Sequence, residues 1–243
     1  MKNMPQKKRF GLIGKNIDYS FSKQYFSKKF KRENLDSYEY INCDIKRIED
    51  FKKIKLNDFN GFNVTIPYKE EIINFLDSLD ENAKKIGAVN TIKIKDGRLV
   101  GYNTDYIGFY KSIDGFDFKN VAILGSGGAC KAIAFALKIK KIPHVIFSRK
   151  SDPKFLKYSN QKNYICNSDL IINTTPLGTF PNTNDCPPIN FEFISQKSFC
   201  YDLIYNPTKT KFLIKSEKLG ATIKNGLNML EFQAEESWKI WNS

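Results

Sequence analysis

One stretch, Val121-Ala-Ile-Leu-Gly-Ser-Gly-Gly-Ala129 followed by Cys-Lys-Ala-Ile-Ala-Phe-Ala-Leu-Lys138, constrains the fold more than any other. Its unbroken apolar opening reads as a strand buried on both faces, the pattern of a parallel sheet covered by helices. Gly125 permits a tight turn, Gly127 lets the backbone approach a bulky ligand, and Gly128 and Ala129 allow the next helix to pack closely. A helix opening there turns N–H groups and partial positive charge outward, which suits a diphosphate. The order strand, glycine turn, helix predicts a dinucleotide-binding unit, with Gly125, Ser126, Gly127, Gly128 and Ala129 as candidate cofactor residues.

The strand that follows, His144-Val-Ile-Phe147, ends in Ser148-Arg149-Lys150, with no carboxylate before Asp152. A site that prefers NAD places Asp or Glu about twenty residues past the glycine turn, to accept hydrogen bonds from the ribose. Two cations at that corner instead suit a 2′-phosphate and point to NADP. Apolar runs at 144–148, 169–175 and 199–205 continue a β-α pattern through about Gly220.

The first hundred residues alternate short apolar runs with amphipathic stretches, again α/β patterning, and Asp96-Gly97 marks a two-residue hairpin between Ala88–Lys95 and Arg98–Thr104. In Gly61-Phe-Asn-Val-Thr-Ile-Pro-Tyr-Lys69, Asn63 and Thr65 fall on one side of a strand. Pro67 suits the first turn of a helix, which places Lys69 at that helix's N-terminus, where the dipole favours the neutral amine and proton transfer. A third motif, Gly101-Tyr-Asn-Thr-Asp-Tyr-Ile-Gly-Phe109, places Asp105 where the first unit hands over to the second; the residues alone fit a helix cap with Asp105 in the first turn, and also a carboxylate facing a cleft between the units. The closing stretch 226–241 reads as an amphipathic helix with Leu227, Leu230, Ala234, Trp238 and Trp241 on its packing face.

Composition narrows the remaining options. At 243 residues and 41% apolar content the chain is long enough for two domains with real cores. No stretch approaches the roughly 18 to 20 apolar residues of a membrane span, and the start, MKNMPQKKRF, lacks a signal segment, so a cytoplasmic protein without membrane partners is expected. Cys43, Cys130, Cys166, Cys186 and Cys200 are scattered, with no C-x-x-C pair, and read as small buried apolar residues; with His144 the only histidine, no metal site is expected. The +13 charge is spread along the chain as lysine, with arginine only at 9, 32, 47, 98 and 149, which argues against nucleic acid.

Taken in order, these motifs and several others resemble the shikimate dehydrogenase family over nearly the whole chain. They are Gly11–Gly14 with Ser20 and Ser22, Asn63–Lys69, Gly87–Thr91, Asn103–Phe109, Leu124–Ala129, Ile172–Gly178, Asp202–Pro207 and Asn225–Ala234. The resemblance implies an α/β protein of two domains with a cleft between them: an N-terminal substrate-binding catalytic domain, 1–105 completed by a C-terminal helix at 226–243, and a Rossmann-like NADP-binding domain at 106–225. It implies reversible NADPH-linked reduction of 3-dehydroshikimate to shikimate, on the route to chorismate and aromatic amino acids. Lys69 and Asp105 become the catalytic pair, and Ser20, Ser22, Asn63, Thr65, Asn90, Tyr205 and Gln233 the substrate ligands. Asn173, Thr174 and Gly226 join Ser148, Arg149, Lys150 and the glycine turn as cofactor residues. The chain departs from the family where Ser22 is followed by Lys23 in place of proline, and where the nucleotide corner reads Ser-Arg-Lys. Two other readings stay open: a quinate/shikimate dehydrogenase using NAD, and a non-catalytic basic protein binding nucleotides or polyanions. Monomer and homodimer are both compatible with the sequence.

Overall fold

A computed structural model of the protein describes residues 7–18 and 20–243; residues 1–6, on which the expected lack of a signal segment partly rests, and Tyr19 lie outside it. The chain forms two compact units, one of residues 1–104 with 233–243, the other of residues 105–232.

The first unit holds β1 (Lys8–Gly14), α1 (Phe21–Arg32), β2 (Tyr38–Asp44), β3 (Gly61–Val64), β4 (Ser78–Leu79), α2 (Glu81–Ile86), β5 (Thr91–Lys95) and β6 (Arg98–Tyr102). Its six-stranded sheet runs β2-β1-β3-β5-β6-β4 and is mixed, with β5 antiparallel to both β3 and β6. The β5–β6 hairpin closes through Asp96 and Gly97, both at positive φ (51° and 73°), as the Asp-Gly pair requires. On one face lie Phe26 and Phe30, one helical turn apart on α1, packed with Phe10, Tyr40 and Trp241. Phe26 stacks on Tyr40 at 4.6 Å and Phe10 on Trp241 at 4.5 Å. Gly61 is required here, because a Cβ at that position would lie 2.4 Å from the Trp241 indole nitrogen.

The helix expected from Pro67 does not form. Residues 66–70 are a turn, followed by a short 3-10 helix, Glu71–Phe75. The α-ladder is interrupted because the Lys69 carbonyl, which Ile73 would need, accepts the Val89 N–H at 2.7 Å instead. Lys69 therefore sits in a turn and not at the helix N-terminus expected for it, so no helix dipole acts on its amine.

The second unit holds α3 (Asp105–Ser112), β7 (Val121–Leu124), α4 (Gly128–Ile139), β8 (His144–Phe147), α5 (Lys162–Ile165), β9 (Leu170–Asn173), β10 (Phe199–Asp202), α6 (Lys211–Lys218) and β11 (Thr222–Lys224). Its sheet is wholly parallel, β11-β10-β9-β7-β8, and every residue of β7, β9 and β10 is buried, as their continuous apolar runs require. The crossovers are less helical than the β-α pattern predicts. A 3-10 turn, Tyr158–Asn160, and the four-residue α5 lie between β8 and β9, and only a 3-10 turn between β9 and β10, where Pro176, Pro181, Pro187 and Pro188 cannot sit inside a helix.

The last helix, α7 (Leu227–Asn242), spans the division between the units. Its buried residues are Met229, Gln233, Ala234, Ser237 and Trp241, so the packing face is rotated from the one expected, with Leu227 and Leu230 only half-buried. Two polar side chains on the buried face are what moves it. Among the cysteines, Cys130 and Cys200 are buried as expected, Cys43 and Cys186 are half-buried, and Cys166 is exposed just past the short α5. Among the described residues no helix is long and apolar enough to cross a membrane.

Candidate functional site

A polar cluster lies buried in the first unit. Asn63 at the end of β3 accepts the Tyr40 hydroxyl proton at 2.8 Å and turns its amide nitrogen to the Asn90 carbonyl, Thr91 Oγ1 and Ser237 Oγ at 3.0–3.2 Å. Asn90 accepts the Thr104 N–H at 2.6 Å and donates to Thr104 Oγ1 at 2.9 Å and Gln233 Oε1 at 3.1 Å. Thr91, Thr104 and Ser237 place three hydroxyls within 2.7–3.3 Å of one another. The cluster unites residues from β2, β3, β5 and α7 with the loops before β5 and after β6. Burial of so many dipoles is tolerable only because each is hydrogen-bonded.

Four sequence-predicted residues lie around the same unit. Ser20 caps α1 by accepting the Ser22 N–H at 3.3 Å; Ser20 is half-buried and Ser22 buried. Thr65 is half-buried, its methyl filling the space where a Cβ on Gly14 would fall. Lys69, also half-buried, follows Tyr68, whose buried hydroxyl donates to the Ile45 carbonyl at 2.9 Å. Together with the Val89 bond to its own carbonyl, this anchors the backbone from which the ammonium projects. Asp105, in the second unit, is 5% exposed and opens α3, where a carboxylate is favoured by the helix dipole.

In the second unit the glycine turn has the expected form. Gly125 lies at φ +109°, and a Cβ there would meet Thr174 Oγ1 at 2.8 Å. A Cβ on Gly127 would meet no atom within 4 Å, so the backbone at the head of α4 is open to a ligand. Gly127 caps α4 with no side-chain hydrogen bond, which leaves the first N–H groups of a twelve-residue helix for an anion. Ser126 and Ser148 share a hydrogen bond of 2.7 Å, and Ser148 Oγ accepts the Lys150 N–H at 3.0 Å. The corner that carries the exposed Arg149 and Lys150 is thereby tied to the glycine turn.

Asn173 and Thr174 are buried, and their side chains shape the strand ends. Thr174 donates to the Leu124 carbonyl at 2.8 Å; Asn173 accepts from Thr175 and donates to Asp202 Oδ1 at 3.0 Å. Asp202, fully buried, also accepts the Ile204 N–H at 3.0 Å and the Thr210 hydroxyl at 2.6 Å. Burial pushes its carboxyl up to about 6 against the opposing pull of these bonds. Gly226 is pressed onto the next loop, since a Cβ there would fall 2.0 Å from the Leu203 carbonyl oxygen. Tyr205 is half-buried in that loop.

Thr91, Thr104, Ser237 and Asp202 were not singled out from sequence. Ser237 stands four residues after Gln233 on the same helical face, and Asp202 is a carboxylate at the end of an apolar strand run; both signals were available. Among the described residues no cluster of His, Cys, Asp and Glu is arranged to hold a metal ion.

A mixed α/β unit with a buried amide–hydroxyl cluster, joined in one chain to a parallel unit with an open glycine turn, defines a two-unit protein whose second half is Rossmann-like. The family model for the shikimate dehydrogenase substrate binding domain matches residues 12–92. A Clostridium botulinum protein named shikimate dehydrogenase (NADP(+)) is 39% identical over 246 residues, 95% of each chain. The fold is similar to that of the shikimate dehydrogenase of Aquifex aeolicus, with TM-score 0.86 and 32% identity over 100% of this chain and 94% of that one. It is similar also to the Thermus thermophilus shikimate 5-dehydrogenase in complex with NADP(H) and shikimate, with TM-score 0.84 and 26% identity over 96% and 93% of the chains. The chain belongs to the shikimate dehydrogenase family.

Proposed function

We propose that the protein is an oxidoreductase acting on a CH–OH group, catalysing reversible NADPH-dependent reduction of 3-dehydroshikimate to shikimate. The observation that supports this most is the bond between Asn90 and Gln233: residues 143 apart in the chain, both assigned to the substrate by the family resemblance, meet at 3.1 Å. The names and bound ligands of the relatives agree with it.

The residues of the second unit fit the dinucleotide. The open backbone at Gly127 and the uncapped head of α4 suit the diphosphate, and Arg149 with Lys150 suits a 2′-phosphate. When bound, the nicotinamide supplies the hydride that reduces the ketone carbon. Lys69 gives a proton to the ketone oxygen as it becomes a hydroxyl, and takes one back in the reverse direction. Asp105 accepts a hydrogen bond from the neighbouring hydroxyl and holds the ring in register. Ser20, Ser22, Thr65, Asn90, Tyr205 and Gln233 bind the carboxylate and remaining hydroxyls. Asn63 joins them from within the buried cluster, where Tyr40 and Ser237 fix its amide. Asn173, fixed by Asp202, serves the cofactor with Thr174 and Gly226.

The test is loss of NADPH absorbance on adding 3-dehydroshikimate to the purified protein, repeated with NADH. Turnover with NADPH at least about ten-fold more efficient than with NADH is expected, one charge-assisted contact's worth. Equal use of both cofactors would overturn the role of Arg149, and no turnover with either would overturn the function.

A further inference from the structure

The buried cluster settles which end of each amide faces which way. A backbone N–H can only donate, and that of Thr104 lies 2.6 Å from Asn90 Oδ1, so the other end of the Asn90 amide is its nitrogen. That nitrogen donates to Thr104 Oγ1 at 2.9 Å and reaches Gln233 at 3.1 Å, where it requires an acceptor. Gln233 therefore turns Oε1 inward, where Thr104 Oγ1 also lies within reach at 3.3 Å. Nε2 of Gln233 is directed away from Asn90. One turn further along α7, Ser237 Oγ donates to the Gln233 carbonyl at 3.0 Å while meeting Thr104 Oγ1 at 3.2 Å. Thr104, with no exposed surface, thus touches Asn90 and Ser237 as well as Gln233 itself.

We propose that Thr104 is a positioning residue that sets the hydrogen-bond polarity of the substrate pocket, so that Gln233 meets its ligand as a donor, through Nε2. The ligand group there is an acceptor, a hydroxyl oxygen or a carboxylate. The inference rests on the reading of Asn90 and Gln233 as substrate ligands. Thr104→Val keeps the N–H and the side-chain shape but removes the oxygen that Asn90, Gln233, Thr91 and Ser237 share.

Steady-state kinetics test it. Thr104→Val should raise KM for shikimate about ten-fold, the equivalent of one buried polar group left unpaired, with KM for NADP moving less than about two-fold. Thr104→Ser, which restores the hydroxyl, should return KM to within about two-fold of the parent. Gln233→Glu, which can offer the ligand only an oxygen, should bind shikimate worse than Gln233→Ala. An unchanged shikimate KM in Thr104→Val, equal rises in both KM values, or near-parental binding by Gln233→Glu would each overturn the proposal. Side-chain amide exchange of Asn90, followed by NMR in the ligand-free protein, separates this failure from failure of the function itself. Protection in the parent and its loss in Thr104→Val are expected whether or not the protein turns over 3-dehydroshikimate, and equal exchange in both would overturn the positioning role.

Discussion

The two units solve one problem, holding the ends of their strands and loops in place through buried polar groups, with opposite electrostatics. In the first, Asn63, Asn90, Thr91, Thr104, Gln233 and Ser237 form a neutral cluster whose members donate and accept among themselves. In the second, the carboxylate of Asp202 gathers an amide, a backbone N–H and a hydroxyl from three separate segments. Neutral dipoles that pair with one another bury at modest cost, whereas a carboxylate held only by neutral donors keeps part of its desolvation penalty. The raised proton affinity of Asp202 is that residual penalty made measurable. Positioning by the neutral cluster is therefore silent to pH, whereas positioning by Asp202 is coupled to it.

The largest expected effect comes from removing the group proposed as the first unit's proton donor. Lys69→Ala should lower kcat by about 10²- to 10⁴-fold, as loss of a general acid does, while NADPH binding measured by fluorescence stays within about two-fold. Near-normal turnover would take the proton-transfer role away from the first unit.

The next effect bears on charge itself. The native Asp202 carboxyl keeps its proton up to about 6, whereas the unfolded chain releases it at the ordinary value of 3.8. Its contribution is thus fully present below 3.8 and is lost as pH rises through about 6. Asp202→Asn carries no such proton, so its unfolding free energy relative to the parent should climb across that interval, on the order of 3 kcal/mol at most. Urea titrations from about pH 4 to pH 7 read this directly. Ser237→Ala in the neutral cluster should give a flat difference over the same range, and matching slopes for the two variants would dissolve the contrast.

The smallest expected effect concerns specificity. Arg149 is exposed at the corner held by Ser126 and Ser148, so Arg149→Ala should raise KM for NADPH about ten-fold and leave KM for NADH nearly unchanged. Equal changes for both cofactors would assign the preference to another residue.

What could be read directly follows the reach of the interactions. The glycine turn, the parallel strands β7, β9 and β10 and the Asp96–Gly97 hairpin depend on neighbours a few residues away, and their sequence patterns matched the structure. The segment after Pro67 did not, because the fate of the Lys69 carbonyl is decided by Val89, twenty positions on. Gln233, on pattern alone an ordinary solvent-facing helical residue, is buried because Asn90 and Thr104 wait for it.

By itself the sequence determined the α/β class, the nucleotide turn, the basic corner at Arg149 and, through motifs in order, the family. Only the tertiary structure decided which face of α7 is buried, which amides pair, and that Asp202 and Thr104 stand at the centre of the two polar clusters. The physical reason is that a hydrogen bond's partner depends on which atoms the fold brings within about 3 Å, a distance that says nothing of separation along the chain.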